Sequence, residues 1–161
     1  MTPAQRRARL VALLLPALLL AGAWAFQLIG GLAPCEMCHW QRWPHYGAVV
    51  LAVLAYVVPQ RGSQLALVAG AAVMIALSGA LGVYHAGVEY HWWAGHTACT
   101  ATASGAGLST DAMLREMLAA PIVRCDQAQW QVLGISLAGF NAILSLGGAA
   151  VIGWLLRRVR A

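Results

Sequence analysis

Long apolar stretches alternate with short polar segments along the chain, and four of the apolar stretches are long enough to predict membrane spans. They run from about Leu10 to Gly30, Trp43 to Val58, Gln64 to Gly87 and Gly134 to Leu156. None has the strict alternation of a barrel strand, and every backbone polar group in hydrocarbon must be paired, so each span is predicted to be a helix. The pattern predicts an all-α membrane protein, a four-transmembrane-helix bundle that forms a single membrane domain over residues 1–161.

Composition and charge add an orientation to this prediction. Hydrophobic residues make up 61% of the chain and charged residues only 9%, which excludes an ordinary soluble domain. The ten basic residues are all arginines, and the net charge of +5 indicates topology, because no basic stripe for nucleic acid is present. The inner side of the four-span prediction carries Arg6, Arg7, Arg9, Arg61, Arg157, Arg158 and Arg160, and all five acidic residues fall on the other side. The positive-inside rule therefore predicts cytoplasmic termini and periplasmic loops at 31–42 and 88–133.

The first apolar stretch follows a basic segment, as the core of a signal peptide does. It is about twenty residues long, and no convincing small-residue cleavage site follows it, so we interpret it as a retained span.

All four cysteines fall in the two predicted periplasmic loops. Cys35 and Cys38 lie in the first loop, and Cys99 and Cys125 lie in the second. This segregation indicates thiol chemistry in an oxidising compartment, although two structural disulfides would give the same distribution.

The spacing of Cys35 and Cys38 favours a redox role for the first pair. A Cys-x-x-Cys disulfide closes a small ring that restrains the unfolded chain little, and its usual use is redox chemistry. Cys38 is expected near the start of the second helix, where unpaired N–H groups and the helix dipole favour a negative charge, and Arg42 adds a cation four residues later. We therefore predict a stabilised Cys38 thiolate at the bilayer surface.

The second pair is separated by a segment rich in small and polar residues, which is expected to be mobile. A disulfide that another protein must reach needs such accessibility. After this segment, Ser109 or Thr110 is predicted to cap a short helix running to about Ala119. This helix is expected to lie on the membrane surface, or else to pack on the outer ends of the spans.

The order and membrane side of these motifs resemble the DsbB family of disulfide-bond formation proteins. The resemblance covers nearly the whole chain, including Gln41-Arg42 after the first pair, Tyr84-His85 at the end of the third span, and the segment from Cys125 to Ser136 that leads into the fourth. It implies a protein-dithiol:quinone oxidoreductase of the bacterial inner membrane. Such an enzyme reoxidises a periplasmic DsbA-like partner, passes the electrons to membrane ubiquinone or menaquinone, and so supports disulfide formation in exported proteins.

The resemblance also implies a relay between the cysteine pairs. The reduced partner attacks a Cys99–Cys125 disulfide, with Cys99 forming the mixed disulfide, and Cys125 then attacks Cys35. Cys38 is left as the thiolate facing the quinone.

Two further residues are implied in quinone binding, and no metal is implied. Arg42 matches the family's cation that holds the quinone oxygen and stabilises developing negative charge. His85 matches a histidine at the outer end of the third span, and the alternative for it is a histidine bonded to a backbone carbonyl. Asn141 in the fourth span is predicted to form an interhelical hydrogen bond.

Other functions remain open from the residues alone. Cys35-Glu36-Met37-Cys38-His39 also has the form of a c-type haem attachment sequence, with His39 as the axial ligand of a membrane-anchored cytochrome. The two cysteine pairs together have ligand types that zinc accepts. A membrane chaperone or scaffold with inert disulfides is the third alternative.

Overall fold

The computed structural model describes residues 2–97, 109–111, 114–115 and 123–160. Four long helices dominate this part of the chain: α1 (Pro3–Leu28), α2 (Glu36–Val57), α3 (Arg61–Glu89) and α4 (Leu137–Arg160). At about 1.5 Å per residue, the 22 residues of α2, the shortest helix, extend about 33 Å. The prediction of a four-helix, all-α architecture is confirmed.

Local sequence signals set several helix ends. The Thr2 hydroxyl accepts a hydrogen bond from the Gln5 N–H at 3.2 Å, and Pro3 occupies the first turn, where its missing N–H leaves no hydrogen bond unmade. Helix α2 ends at Val57, one residue before the Val58–Pro59 peptide, because a residue that precedes proline disfavours helical backbone angles.

The helices pack as a ring in which α3 lies between α2 and α4, and α1 closes the other side against the same two helices. The core between them is rich in alanine, and Ala12, Ala48 and Ala71 are fully buried. Small side chains let helices approach closely. At Gly82 the backbones of α3 and α4 lie close together, since a Cβ there would be 3.0 Å from the Ala138 carbonyl oxygen.

The outer faces of the bundle are suited to lipid. Among the described residues, three of the four helices are long and apolar enough to cross a membrane: Pro3–Leu28, Arg61–Glu89 and Leu137–Val159. The span predicted from Trp43 to Val58, on α2, stays a prediction. The three helices expose large apolar side chains such as Leu18, which is 68% exposed, and Val73, which is 66% exposed. The chain is therefore a membrane protein, as its composition predicts.

A short β-hairpin precedes α4 and changes a predicted boundary. Strand β1 (Gln131–Val132) pairs antiparallel with β2 (Ile135–Ser136) across a Leu133–Gly134 turn in which both residues have positive φ. Positive φ at both central residues is the type I′ geometry that matches the twist of paired strands. The fourth span was predicted from Gly134, whereas α4 begins at Leu137, because the hairpin uses the intervening residues.

Tyr90 fastens this hairpin to the end of α3. Its hydroxyl donates to the Gly134 carbonyl and accepts from the Ser136 N–H, both at 2.9 Å.

The short helix predicted to run to about Ala119 falls largely outside the described residues and stays a prediction. Cys99 also lies outside them.

Candidate thiol redox site

The Cys-x-x-Cys pair forms the first turn of α2. Cys35 is the N-cap residue, with extended backbone angles, and its Sγ accepts a hydrogen bond from the Cys38 N–H at 3.3 Å. Cys38 therefore lies inside the helix and not in the preceding loop, where it was predicted. The two free thiols have their Sγ atoms 2.9 Å apart, so a small movement brings them to disulfide bonding distance.

The two thiols have opposite electrostatic properties. A hydrogen bond from the Cys35 thiol lowers the pKa of Cys38 below its usual 9.0, and the positive charge of Arg42 lowers it further, against the opposing effect of burial. The same hydrogen bond raises the pKa of Cys35 far above its ordinary value, and burial raises it more. Cys38 is thus the more acidic thiol of the pair, and the protonated Cys35 is the partner that stabilises its thiolate form.

Arg42 lies one helical turn beyond Cys38 and is held by α1. Its Nη1 donates to the Gln27 Oε1 atom at 2.6 Å and its Nη2 to the Ala23 carbonyl at 3.2 Å, and its guanidinium lies 5.3 Å from the centre of the Trp24 ring. Only 8% of Arg42 is exposed. These contacts fix a permanent cation inside the bundle, beside the thiolate.

His85 lies on the other side of the pair, at the outer end of α3. Its Nε2 is 3.6 Å from the Cys35 Sγ and 3.7 Å from the Glu89 Oε1 atom. Its Nδ1 is 2.8 Å from the Gln41 Nε2 atom, which also donates to the Met37 carbonyl at 3.2 Å. Because that carbonyl can only accept, it fixes which end of the Gln41 amide faces His85. Nδ1 of His85 is therefore an acceptor, and the proton lies on Nε2, where the Cys35 sulfur and the Glu89 carboxyl are both within 3.7 Å. The ring also forms a hydrogen bond with the Cys125 backbone, in line with the alternative of a histidine bonded to a backbone carbonyl.

The hydrogen bonds continue from Gln41 into the middle of the bundle. Gln41 Oε1 accepts from the Asn141 Nδ2 atom at 2.9 Å, which confirms the interhelical role predicted for Asn141. Asn141 Oδ1 lies 3.0 Å from the His45 Nε2 atom. The Ser78 hydroxyl donates to the Gln41 carbonyl at 2.8 Å and lies 2.9 Å from the same His45 nitrogen. Side chains from three helices thus form one buried polar network beneath the cysteine pair.

A cavity of about 310 Å³ opens onto these groups. Its polar lining includes Cys38, Gln41, Arg42, His45, His85 and Asn141. The four that belong to α2 follow the i, i+3, i+4, i+7 spacing of one helix face. The remaining wall is apolar and comes largely from α1 and α4, with Leu18, Leu19, Phe26, Leu137 and Leu144 among its residues. The cavity therefore has a polar side next to the thiolate and an apolar side next to the outer helices.

The second cysteine pair reaches the same region through Cys125. This residue is completely buried and disulfide-bonded, and it packs in one apolar cluster with Cys35, Met37 and Val88. Its segment is tied to the loop before α2 by a 2.9 Å hydrogen bond from the Gln129 side chain to the Ala33 carbonyl. The structure therefore brings one cysteine of the second pair against the first pair.

Of the residues predicted from the sequence, Cys38, Arg42 and His85 line one cavity, and Cys35 contacts Cys38 and His85 beside it. Sequence reasoning gave no role to His45, and it treated Asn141 only as a contact between helices. The signal available for His45 was its position, seven residues after Cys38 on one helix face.

This geometry does not favour the haem or zinc alternatives. His39 is exposed and is not part of the cavity wall, so it lacks the enclosing pocket that a haem ligand needs. The Sγ atoms of Cys35 and Cys38 and a ring nitrogen of His85 lie within 4.8 Å of one another, close enough for three zinc ligands. The hydrogen bond from Gln41, however, leaves the proton on the His85 nitrogen that such an ion would require.

A helical membrane bundle with a Cys-x-x-Cys pair beside an internal cavity is the arrangement of a membrane thiol oxidoreductase. The family model for disulfide bond formation protein DsbB matches residues 5–155 of the chain. The chain therefore belongs to the DsbB family, as its motifs indicate, and membrane disulfide oxidase activity is the activity of that family. No curated protein and no solved structure matches it.

Proposed function

We propose that this protein reoxidises a periplasmic DsbA-like dithiol protein and passes the electrons through its two cysteine pairs to ubiquinone or menaquinone. The observation that carries the proposal is the position of the Cys38 thiolate, on the wall of a largely apolar cavity and one helical turn from a buried arginine. A site for a polar thiol substrate alone would not need the apolar wall.

The cavity fits a quinone in size and chemistry. Its volume of about 310 Å³ is at the lower end of small-molecule sites, and its apolar wall between α1 and α4 suits an isoprenoid tail. Arg42 has five N–H donors and no acceptor, so it suits a carbonyl oxygen. When bound, the quinone supplies a two-electron, two-proton acceptor and leaves as quinol.

The cysteines of the chain carry out the oxidation of the partner dithiol, which supplies the electrons that reduce the quinone. Two thiols of the partner become a disulfide and release two electrons and two protons in total. Cys99 takes the mixed disulfide, Cys125 passes the exchange to Cys35, and Cys38 is left as the thiolate beside the cavity. The packing of Cys125 against Cys35 in one buried cluster supports the middle step, because exchange requires the sulfurs to come into contact.

His85 positions a proton beside the first cysteine pair. Its Nε2–H group faces the Cys35 sulfur at 3.6 Å, where it stabilises negative charge as Cys35 leaves a disulfide. Arg42 does the same for Cys38 and for an oxygen bound in the cavity. The two groups lie on opposite sides of the pair, so each sulfur has its own stabilising donor.

The distribution of arginines supports periplasmic cysteines and cytoplasmic ends in the inner membrane. Labelling of Cys38 by a membrane-impermeant thiol reagent in reduced spheroplasts, but not in inverted vesicles, is the expected result. Labelling from the cytoplasmic side would refute this orientation.

The proposal is tested by mixing the purified protein with a reduced DsbA-like partner and a short-chain ubiquinone, and by following quinol formation. Steady turnover should be abolished by serine at Cys35, Cys38, Cys99 or Cys125, whereas Trp154→Phe, at the far end of α4, is the matched control. A wild-type protein that exchanges disulfides with the partner but forms no quinol refutes the quinone step. A Soret band in the purified protein would favour the cytochrome instead.

A further inference from the structure

His45 is a buried histidine that the relay does not use. It lies on α2 one turn deeper than Arg42, is only 3% exposed, and lines the same cavity. All the hydrogen-bonding neighbours given by the described residues, Asn141, Ser78 and Ser145, approach a single ring nitrogen, Nε2. Nδ1 is buried and has no hydrogen-bond partner among the described residues.

The neighbours of His45 determine which ring nitrogen carries the proton. The Asn141 Nδ2 atom donates to the Ser78 carbonyl at 3.2 Å, which turns the Asn141 Oδ1 atom toward His45. The Ser78 hydroxyl directs its own hydrogen to the Gln41 carbonyl, so toward His45 it also acts as an acceptor. Two acceptors facing Nε2 place the proton there. On a neutral ring Nδ1 then carries a lone pair and no hydrogen.

A buried acceptor without a hydrogen-bond donor is unfavourable. A ligand that supplies the donor therefore gains binding free energy from the hydrogen bond that it completes. We propose that His45 is a binding residue for the reduced product, whose hydroxyl donates a hydrogen bond to the His45 Nδ1 atom. The carbonyl oxygens of the oxidised form have no hydrogen to donate, so this contact distinguishes quinol from quinone. The inference rests on the proposed quinone function and extends it to the selectivity of the same cavity.

The contact has a defined consequence for electron transfer. A site that binds quinol more tightly than quinone makes the bound acceptor more oxidising. The net contribution of one hydrogen bond corresponds to about a three- to tenfold difference in affinity, and a tenfold difference is about 30 mV in a two-electron couple. Arg42 has only donors, so it suits an oxygen in either state, whereas the His45 Nδ1 atom can accept a hydrogen bond from the quinol but not from the quinone.

Two substitutions separate the lone pair from the structural role of the ring. His45→Gln keeps an N–H donor near the position of Nε2, facing Asn141, but offers no acceptor at the position of Nδ1. His45→Asn places an amide oxygen near the position of Nδ1 and loses the donor toward Asn141. Dissociation constants for short-chain ubiquinone and its quinol are measured by calorimetry in full-length protein carrying Cys38→Ser, so that no electrons are exchanged during the titration.

The expected result is that His45→Gln lowers the preference for quinol over quinone about three- to tenfold, while His45→Asn retains most of it and lowers the melting temperature. Equal weakening of both ligands by His45→Gln, or an unchanged preference, overturns the inference. If His45→Gln does not fold, the histidine protein is tested with the quinol and its dimethyl ether, which lacks the donor. Equal binding of these two ligands also overturns the inference.

The companion readout is dithiol-driven quinol formation by the wild-type protein. If the wild-type protein forms quinol but its preference for quinol over quinone does not depend on His45, this inference is wrong and the proposed function stands. A wild-type protein that binds neither quinone nor quinol defeats the proposed function as well.

Discussion

The acidity of Cys38 should depend chiefly on its partner thiol. The Cys35 and Cys38 sulfurs are 2.9 Å apart, and the Cys35 hydrogen bond is the largest influence that lowers the pKa of Cys38. Cys35→Ala removes that donor. Hydrogen bonds to charged groups contribute about 1.5–3 kcal/mol, so the pKa of Cys38 should rise when this bond is lost.

The sign of the pH dependence follows from the direction of the shift. The thiolate is lost as pH falls through the pKa of Cys38, and that pKa is lowered in the reduced protein. Cys35→Ala should lose the thiolate at a higher pH. Near neutrality its thiolate population should be about 10- to 100-fold smaller, provided the variant pKa lies above the pH of measurement.

Ultraviolet absorbance of the thiolate measures this directly. The titration uses reduced protein carrying Cys99→Ser and Cys125→Ser, so that only the first pair contributes. Cys35→Ser, which keeps a hydroxyl donor, should shift the pKa of Cys38 less than Cys35→Ala does, and Arg42→Gln should also shift it less, because the arginine charge is a smaller influence. A pKa of Cys38 that stays constant or falls in Cys35→Ala would refute the assignment of Cys35 as the stabilising donor.

Three further changes test the site and the packing around it. Arg42→Ala should raise the KM for a short-chain quinone about 10- to 100-fold while exchange between the cysteine pairs, followed by quenched-flow trapping, continues; unchanged quinone kinetics would contradict its binding role. Gly82→Ala should lower the free energy of unfolding by about 1–3 kcal/mol, because its Cβ meets backbone atoms of α4 at 3.0 Å, whereas Gly147→Ala, with open space around it, should be neutral or stabilising. Thermal denaturation in detergent compares the two, and equal effects would show that α3 and α4 can separate freely. Tyr90→Phe should cost about 1 kcal/mol in the same assay, because the hairpin loses both hydroxyl bonds, and no change would mean that water replaces them.

The parts of the structure that could be predicted are those that depend on local sequence patterns. Four long apolar stretches were sufficient for the four helices, since bilayer thickness sets helix length. The spacing of Cys35, Cys38 and Arg42 was sufficient to place a thiolate and a cation at one helix start, because positions three and four apart share a helix face. Both conclusions depend on neighbours within one or two helical turns.

The remaining features depend on contacts that are distant in the chain. His45 and Asn141 are 96 residues apart, on helices α2 and α4 that lie across the ring from each other, and only the assembly of the whole bundle brings them together. The hairpin before α4 depends on Leu133 adopting positive φ, which is uncommon for a leucine and has no marker in the sequence. A leucine followed by a glycine at the edge of an apolar run predicts the start of a span, so the boundary at Gly134 was set too early.

The Cys35 sulfur has two bonding roles, and taking up one of them changes the other. It closes the first turn of α2 by accepting the Cys38 N–H, and in the proposed relay it is also the atom that Cys125 attacks. When that sulfur is bonded elsewhere, the amide at the helix start must turn to water or to another acceptor. Each round of turnover would then briefly loosen one end of a membrane helix, so amide hydrogen exchange at Cys38 would report the redox cycle from inside the backbone.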